Sequence, residues 1–209
     1  NGVPTQQVRN VFYPVKGHLK KKIIVNTAKG IEQKTHRRVS EIFKHLNPQA
    51  KYCVLSGPSF AQEVVKRLPT LVTVASESRT VASKVQLMIS NSYFRAYTSH
   101  DVVGVEYAGA LKNVVAIAAG LVTGLELGYN ATAAVINRGV AEILKISRKE
   151  RANPMTFLGL AGMGDLILTC TGPLSRNRRV GVLLGQGKKL DDIQRELGGV
   201  AEGVYTAQS

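Results

Sequence analysis

Ile23-Ile24-Val25-Asn26-Thr27-Ala28-Lys29-Gly30 opens with a β-branched apolar run and closes on a lysine and a glycine. The run Ile23–Ala28 reads as a buried strand. Downstream, Thr35 to Leu46 is amphipathic, with Val39, Ile42, Phe43 and Leu46 at helical spacing. The alternation then repeats. Tyr52–Leu55 reads as a strand, Phe60–Arg67 as a short helix and Leu71–Ala75 as a strand. Thr80–Asn91 reads as a helix and Phe94–Thr98 as a fourth strand. Upstream, Val8–Leu19 reads as a helix. Strands alternating with helices predict an α/β layer on a mostly parallel sheet.

After Asp101 the pattern changes. Asp101–Gly124, Asn130–Glu150, Arg176–Leu184 and Asp191–Leu197 read as helices, and strand-like runs almost vanish. The expected organisation is therefore α/β plus all-α. An α/β domain with a mostly parallel sheet is expected over 1–100 and an all-helical domain over 101–209; the resemblance described below makes the first a partial Rossmann-type domain and the second the substrate and catalytic domain. The low-charge stretch Tyr107–Leu125 carries Lys112, Asn113 and three glycines, and reads as a buried helix with no membrane span. The chain starts at Asn1 and stops within what reads as another helix. Both ends are expected to be cut, and no targeting segment is visible.

Composition bounds the function class. The 209 residues are 44% hydrophobic and 20% charged, which is ordinary for a globular chain. Cys53 and Cys170 lie far apart and supply neither a disulfide framework nor a metal ligand set, so a reducing compartment is the natural expectation. The net charge is +14 and uneven, because residues 1–100 hold 16 basic and 4 acidic side chains. Such a surface attracts anions, and a basic module for nucleic acid is one alternative. The runs Lys20-Lys21-Lys22 and Arg37-Arg38 also suit plain solvated surface. No nucleic-acid motif accompanies them, and none is expected as a partner.

Three lone charges stand in apolar settings. Lys112 is the only charged residue between Glu106 and Glu126. A helix apolar on nearly every face is buried, so this lysine either snorkels out or is kept for chemistry as a proton acceptor with lowered pKa. Asp165 is the only charged residue from Ala152 to Ser175, set among glycines. It suits a helix cap as well as a site. Lys29 directly follows the first strand, where ligands of open α/β sheets bind; an exposed loop lysine is the plain alternative.

Two helix starts complete the set. Ser56-Gly57-Pro58-Ser59-Phe60 follows a strand, and Ser175-Arg176-Asn177-Arg178-Arg179 follows a Gly-Pro turn. Free N–H groups, hydroxyls and arginine forks suit an anion. Together these residues point to a small anionic ligand between the two halves. The four histidines lie near polar or charged neighbours, and no metal is expected.

The motifs Thr27-Ala28-Lys29-Gly30-Ile31-Glu32, Leu55-Ser56-Gly57-Pro58-Ser59-Phe60-Ala61 and Gly109-Ala110-Leu111-Lys112-Asn113-Val114 occur in that order. Gly162-Met163-Gly164-Asp165-Leu166 and Leu174-Ser175-Arg176-Asn177-Arg178 follow. With these five motifs the chain resembles the NAD(P)-dependent glycerol-3-phosphate dehydrogenases, in their bacterial style. The resemblance implies a Rossmann domain followed by a helical domain, an NAD or NADP cofactor, and interconversion of dihydroxyacetone phosphate and sn-glycerol 3-phosphate. It implies that Lys112 is the catalytic proton carrier. Lys29, Gly57, Ser59, Asn113, Asp165, Thr169, Ser175, Arg176 and Asn177 match substrate-binding positions, along with Lys112 itself. Lys29, Ala61, Arg176, Val200 and Glu202 match cofactor-side positions. The resemblance also implies a homodimer; the cytoplasm is the default setting, and the basic bias fits an organelle as the alternative.

The departure is the missing Gly-x-Gly-x-x-Gly turn with its first strand and helix. By this reading the 209 residues alone are an inactive fragment of an enzyme. A related two-domain hydroxy-acid dehydrogenase is a second enzymatic alternative. The choice between NADH and NADPH rests on residues outside this sequence.

Overall fold

The computed structural model describes residues 1–199 and 201–209. The strands are β1 (Ile23–Asn26), β2 (Lys51–Ser56), β3 (Thr70–Ala75) and β4 (Phe94–Ser99), paired in the order β1-β2-β3-β4. The flanking helices are α1 (Val8–Phe12), α2 (Val39–Leu46), α3 (Ala61–Val65) and α4 (Arg79–Ile89). The second half holds α5 (Val102–Gly124), α6 (Gly128–Lys149), α7 (Asp165–Thr171), α8 (Arg176–Gly185), α9 (Leu190–Leu197) and α10 (Glu202–Thr206). A 3-10 turn at Pro154–Leu158 and a π-helical turn at Leu160–Gly164 precede α7. The expected α/β layer and helical second half are both present.

Strand alternation sorts the core into layers. On one face, α4 packs through Val81, Ala82 and Val85 against Cys53, Val72, Val74 and Ala96. On the other, α2 places Val39, Ile42, Phe43 and Leu46 over Ile24, and the start of α5 places Val102 and Val105 over Val54 and Ala75. A further core joins Ala108, Val115, Ala116 and Ala119 of α5 to Ile143 of α6 and Leu166 and Cys170 of α7.

The sheet departs from a uniformly parallel one. β1 pairs with β2 in parallel and β3 with β4 in parallel, but β2 and β3 run antiparallel, with Val54 opposite Ala75. The link between β2 and β3 holds only the five-residue α3. Five helical residues rise about 7.5 Å, against about 20 Å for a six-residue strand. The chain therefore returns beside β2 instead of crossing back over the sheet. A second difference lies upstream: α1 stops at Phe12 and a 3-10 turn covers Lys16–Leu19. Pro14 has no N–H to continue a helix through Val8–Leu19. α2 starts at Val39, four residues later than the periodicity suggested.

Helix α5 is long and apolar enough to cross a membrane, but most of it is buried inside the protein. It is the central helix, packed by α6, α7, α8 and α10. Its crossing with α8 is lined by glycines. A Cβ on Gly120 would lie 2.1 Å from the Arg178 carbonyl oxygen, and one on Gly181 2.0 Å from that of Ile117. Gly124 and Gly185 make the same kind of contact one turn on. The two backbones touch because no side chain separates them.

Candidate active site

β1 ends where Asn26 turns on itself. Its Oδ1 accepts from the Ala28 N–H and its Nδ2 donates to the Ala28 carbonyl, 3.2 and 3.1 Å. This local pairing replaces strand bonding and turns Lys29 toward the second half. Lys29 Nζ donates to Asp165 Oδ2 at 2.6 Å and to the Gly57 carbonyl at 3.3 Å. Gly57 holds φ +144°, and a Cβ there would lie 2.9 Å from the Val72 Cα, so it is restricted to glycine.

Lys112 comes from α5. Its Nζ donates to Asp165 Oδ1 at 2.7 Å and to Thr169 Oγ1 at 2.6 Å. Thr169 Oγ1 in turn donates to the Asp165 carbonyl one helical turn back, 2.6 Å. The ammonium has three N–H groups, so one remains for the cleft that Lys112 lines. The side chain is 7% exposed and does not snorkel. Burial lowers its pKa to about 8, and the nearby Lys29 charge pushes the same way.

Asp165 is the first residue of α7. Its carboxylate does not cap the helix; it sits between the two ammonium groups, with Ser56 Oγ 3.4 Å from Oδ2. Burial opposes its ionisation, yet the charges of Lys29 and Lys112 hold its pKa below the usual carboxylate value. Two cations around one carboxylate leave a net positive charge at the bottom of the cleft.

A relay of side-chain amides ties the site together. Asn113 Nδ2 donates to the Lys29 carbonyl at 3.0 Å, and Asn177 Nδ2 donates to Asn113 Oδ1 at 2.9 Å. The Gly203 N–H then donates to Asn177 Oδ1 at 3.0 Å. One chain of hydrogen bonds thus runs from the loop after β1 through α5 and α8 to α10.

The cleft measures about 1150 Å³. Lys29, Ser59, Ala61, Lys112, Asn113 and Thr169 line it, as do Ser175, Arg176, Asn177 and Glu202. Gly57 contributes through its carbonyl, and Asp165 lies behind the lysines. Val200 lies outside the described residues. Ser59 Oγ donates to the Gly57 carbonyl at 3.1 Å, and α3 begins only at Ala61 with five residues. That helix start is therefore too short to act as a strong anion site. Ser175 caps α8 by accepting from the Arg178 N–H at 3.2 Å, which leaves Arg176 and Arg179 on the rim. The runs Lys20–Lys22 and Arg37-Arg38 do not line the cleft.

Glu202 adds a feature the sequence did not signal. Its Oε1 accepts from the Thr5 N–H at 2.8 Å, 197 residues away. Its Oε2 is buried without a hydrogen-bond partner among the described residues. Burial raises its pKa above the usual carboxylate value. An orphaned acceptor in a cleft wall suits a ligand hydroxyl. A cleft of about 1150 Å³ exceeds the room that one small substrate needs. These two observations fit a dinucleotide lying beside a small anion. Thr5 itself carried no sequence signal, because its role depends on a residue at the other end of the chain.

Comparison with known proteins gives the following. The profile of the NAD-dependent glycerol-3-phosphate dehydrogenase C-terminus matches residues 101–209, and that of the N-terminus matches residues 1–82. The chain is 52% identical over 211 residues to glycerol-3-phosphate dehydrogenase [NAD(P)+] of Syntrophobacter fumaroxidans, covering 99% of this chain and 62% of that one. It is 50% identical over 210 residues to the enzyme of that name from Myxococcus xanthus, covering 99% and 63%. The chain thus spans 62–63% of the length of these curated relatives. It superimposes on the crystal structure of glycerol-3-phosphate dehydrogenase from Coxiella burnetii with TM-score 0.95 at 37% identity, covering 99% of this chain and 64% of that one. For the Saccharomyces cerevisiae structure of that name the TM-score is 0.85 at 29% identity, with coverage of 99% and 63%.

Proposed function

The chain belongs to the NAD-dependent glycerol-3-phosphate dehydrogenase family, and from that premise we propose that it carries the substrate-handling part of an oxidoreductase. The reaction is the interconversion of dihydroxyacetone phosphate and sn-glycerol 3-phosphate with NAD(H) or NADP(H). The observation that carries this reading is the Lys29–Asp165–Lys112 bridge at the base of a cleft rimmed by Arg176. It sets a proton-exchanging group beside a positive floor, which is what a phosphorylated hydroxyketone needs.

A dinucleotide held along Ala61, Arg176 and Glu202 would supply or accept the hydride at C2 of the substrate. In reduction, Lys112 donates a proton to the oxygen at C2 as negative charge develops there. In oxidation the neutral amine takes that proton back. A group titrating near 8 exchanges protons readily at physiological pH. Lys29 stabilises the developing alkoxide by its charge and keeps Lys112 from holding its proton too tightly. Asp165 and Thr169 fix the direction of the Lys112 ammonium. Asn113 and Asn177 hold the loop bearing Lys29 against α5 and α8. Arg176 pairs with the substrate phosphate in a charge-assisted fork, with Ser175 and Asn177 beside it. Gly57 and Ser59 shape the opposite wall.

Ala61, Arg176, Val200 and Glu202 are assigned to the dinucleotide side, with Glu202 Oε2 accepting from one of its hydroxyls. In this division, residues 1–100 belong to the dinucleotide-binding domain and residues 101–209 to the substrate and catalytic domain. We assign the reaction to the cytoplasm, in keeping with two free buried thiols, and to a homodimer.

The test is nicotinamide oxidation by the complete gene product containing this chain, with dihydroxyacetone phosphate and either NADH or NADPH. Turnover in the wild type, and its loss in Lys112→Ala with dinucleotide binding retained, is the expected result. A folded wild type that oxidises neither cofactor sinks this reading.

A further inference from the structure

A second buried carboxylate lies on the catalytic helix and takes no part in the proton chemistry. Glu106 sits six residues before Lys112 on α5, about 9 Å along the axis. Its side chain is 5% exposed. Oε1 accepts from the Ser40 N–H at 2.8 Å and the Tyr52 hydroxyl at 2.6 Å. Oε2 accepts from the Ser40 hydroxyl at 2.5 Å and from Arg38 Nη1 at 3.2 Å. All these donors belong to the first half of the chain. Arg38 and Ser40 open α2, and Tyr52 lies on β2.

Burying a carboxylate is costly unless every lone pair is met. An apolar residue would suit this layer, where Val102 and Val105 already pack on Val54 and Ala75. Four donors converging from two separate elements fix both the rotation and the axial position of α5. Apolar contacts alone permit sliding, since they carry no direction. At the cleft, Asn113 of α5 donates to the Lys29 carbonyl, and Lys112 meets Lys29 only through Asp165 of α7; beside the socket, the Arg38 guanidinium lies 5.6 Å over the Tyr107 ring of α5. Arg38 also pairs with Glu41, 3.2 Å away on the same turn.

We infer that Glu106 is a positioning residue for the reaction, keyed into the Arg38–Ser40–Tyr52 socket so that α5 presents Lys112 at a fixed distance from the sheet-side walls of the cleft. The inference rests on the proposed dehydrogenase reading. α8 moves with α5 through their glycine crossing, whereas the sheet-side walls do not. Loss of the key therefore disturbs the alignment of Lys112 and the phosphate rim against the hydride, and leaves in place the part of the dinucleotide's wall that the first half supplies at Ala61.

The test uses the complete gene product. Wild-type turnover establishes the reaction. In Glu106→Ala, kcat falls roughly 10- to 100-fold, by more than the KM for the dinucleotide rises. The deuterium isotope effect from deuterated NADH rises, because hydride transfer becomes the slow step. Glu106→Gln keeps the volume and one acceptor oxygen but turns an amide NH2 toward donors, so it recovers kcat only in part. Unchanged kcat and isotope effect in Glu106→Ala overturn the inference. So does a loss shared equally with the dinucleotide KM and not recovered by Gln, which marks a merely structural role. Should Glu106→Ala fail to fold, Tyr52→Phe removes one of the four bonds. A fall in kcat of roughly threefold with a raised isotope effect is then expected, and no change overturns the inference. A wild type inactive on triose phosphate sinks the dehydrogenase reading, and the key is then read by lysine side-chain NMR. The Lys112 titration near 8 moves up toward the ordinary lysine value in Glu106→Ala as the helix lifts; an unmoved titration overturns the inference.

Discussion

Asp165→Asn changes one charge and little volume at the centre of the site. In the wild type the carboxylate lies 2.6 Å from Lys29 Nζ and 2.7 Å from Lys112 Nζ. Burial and the Lys29 charge depress Lys112 to about 8, and Asp165 opposes both. An opposite charge at such range is worth about 1.4 to 4 kcal/mol to the ammonium. At pH 7 a lysine titrating near 8 is about nine-tenths protonated. Without the carboxylate that share falls to about half or less, since one pH unit is about 1.4 kcal/mol. The Asn amide also turns two N–H donors toward a lysine that can only donate. The reduction reaction needs the protonated form, so its activity declines as pH rises through the Lys112 titration. In Asp165→Asn that declining limb is expected about one to three pH units lower than in the wild type. The assay is kcat/KM for dihydroxyacetone phosphate across the pH range for both proteins. A limb that stays near pH 8 in the variant refutes the assignment of that limb to Lys112 and the role given to Asp165.

Folding linkage gives an independent check. Lys112 titrates near 8 in the folded chain and near 10.5 as an ordinary lysine, so the folded state binds fewer protons between those values. Stability from this group therefore rises with pH across that window, and its cost is fully present below 8; urea unfolding of Lys112→Met is expected to lose that rise. Gly181→Ala places a methyl 2.0 Å from the Ile117 carbonyl oxygen. It is expected to destabilise the fold by roughly 3 kcal/mol, read as a lowered Tm. Gly17→Ala, with nothing within 4 Å, is the control and is expected to leave Tm nearly unchanged. Arg176→Ala is expected to raise the KM for dihydroxyacetone phosphate roughly 10- to 100-fold, and an unchanged KM puts the phosphate elsewhere.

Much of this fold is legible in the sequence because burial writes itself into pattern. β1 is a run of apolar residues, and α2 spaces its core face by three and four. Lys112 and Asp165 stood out as lone charges in neutral stretches, and they meet across 53 residues. What remained hidden depends on distant geometry. The direction of β3 follows from how far α3 can reach. Glu106 looked like a marker at the edge of the apolar stretch, because its partners sit 54 to 68 residues upstream in an unremarkable amphipathic helix and a strand. The pairing of Thr5 with Glu202 spans nearly the whole chain. The π-helical turn before Asp165 came from a glycine-rich run that is equally compatible with a loop.

The glycine crossing of α5 and α8 bears on how such a site varies. Lys112 and Asn113 ride on one helix, and Ser175, Arg176 and Asn177 cap or begin the other. Their mutual spacing is set by backbone touching backbone, with no side chain as a spacer. Drift among the surrounding apolar residues can then proceed without altering the distance from the proton carrier to the basic rim. The same contact admits no intermediate settings, since the smallest possible change at Gly120 or Gly181 is a whole methyl group. A ligand longer or shorter than the span between Lys112 and Arg176 has to be met by side-chain changes elsewhere in the lining, at Ser59, Phe60 and Leu174.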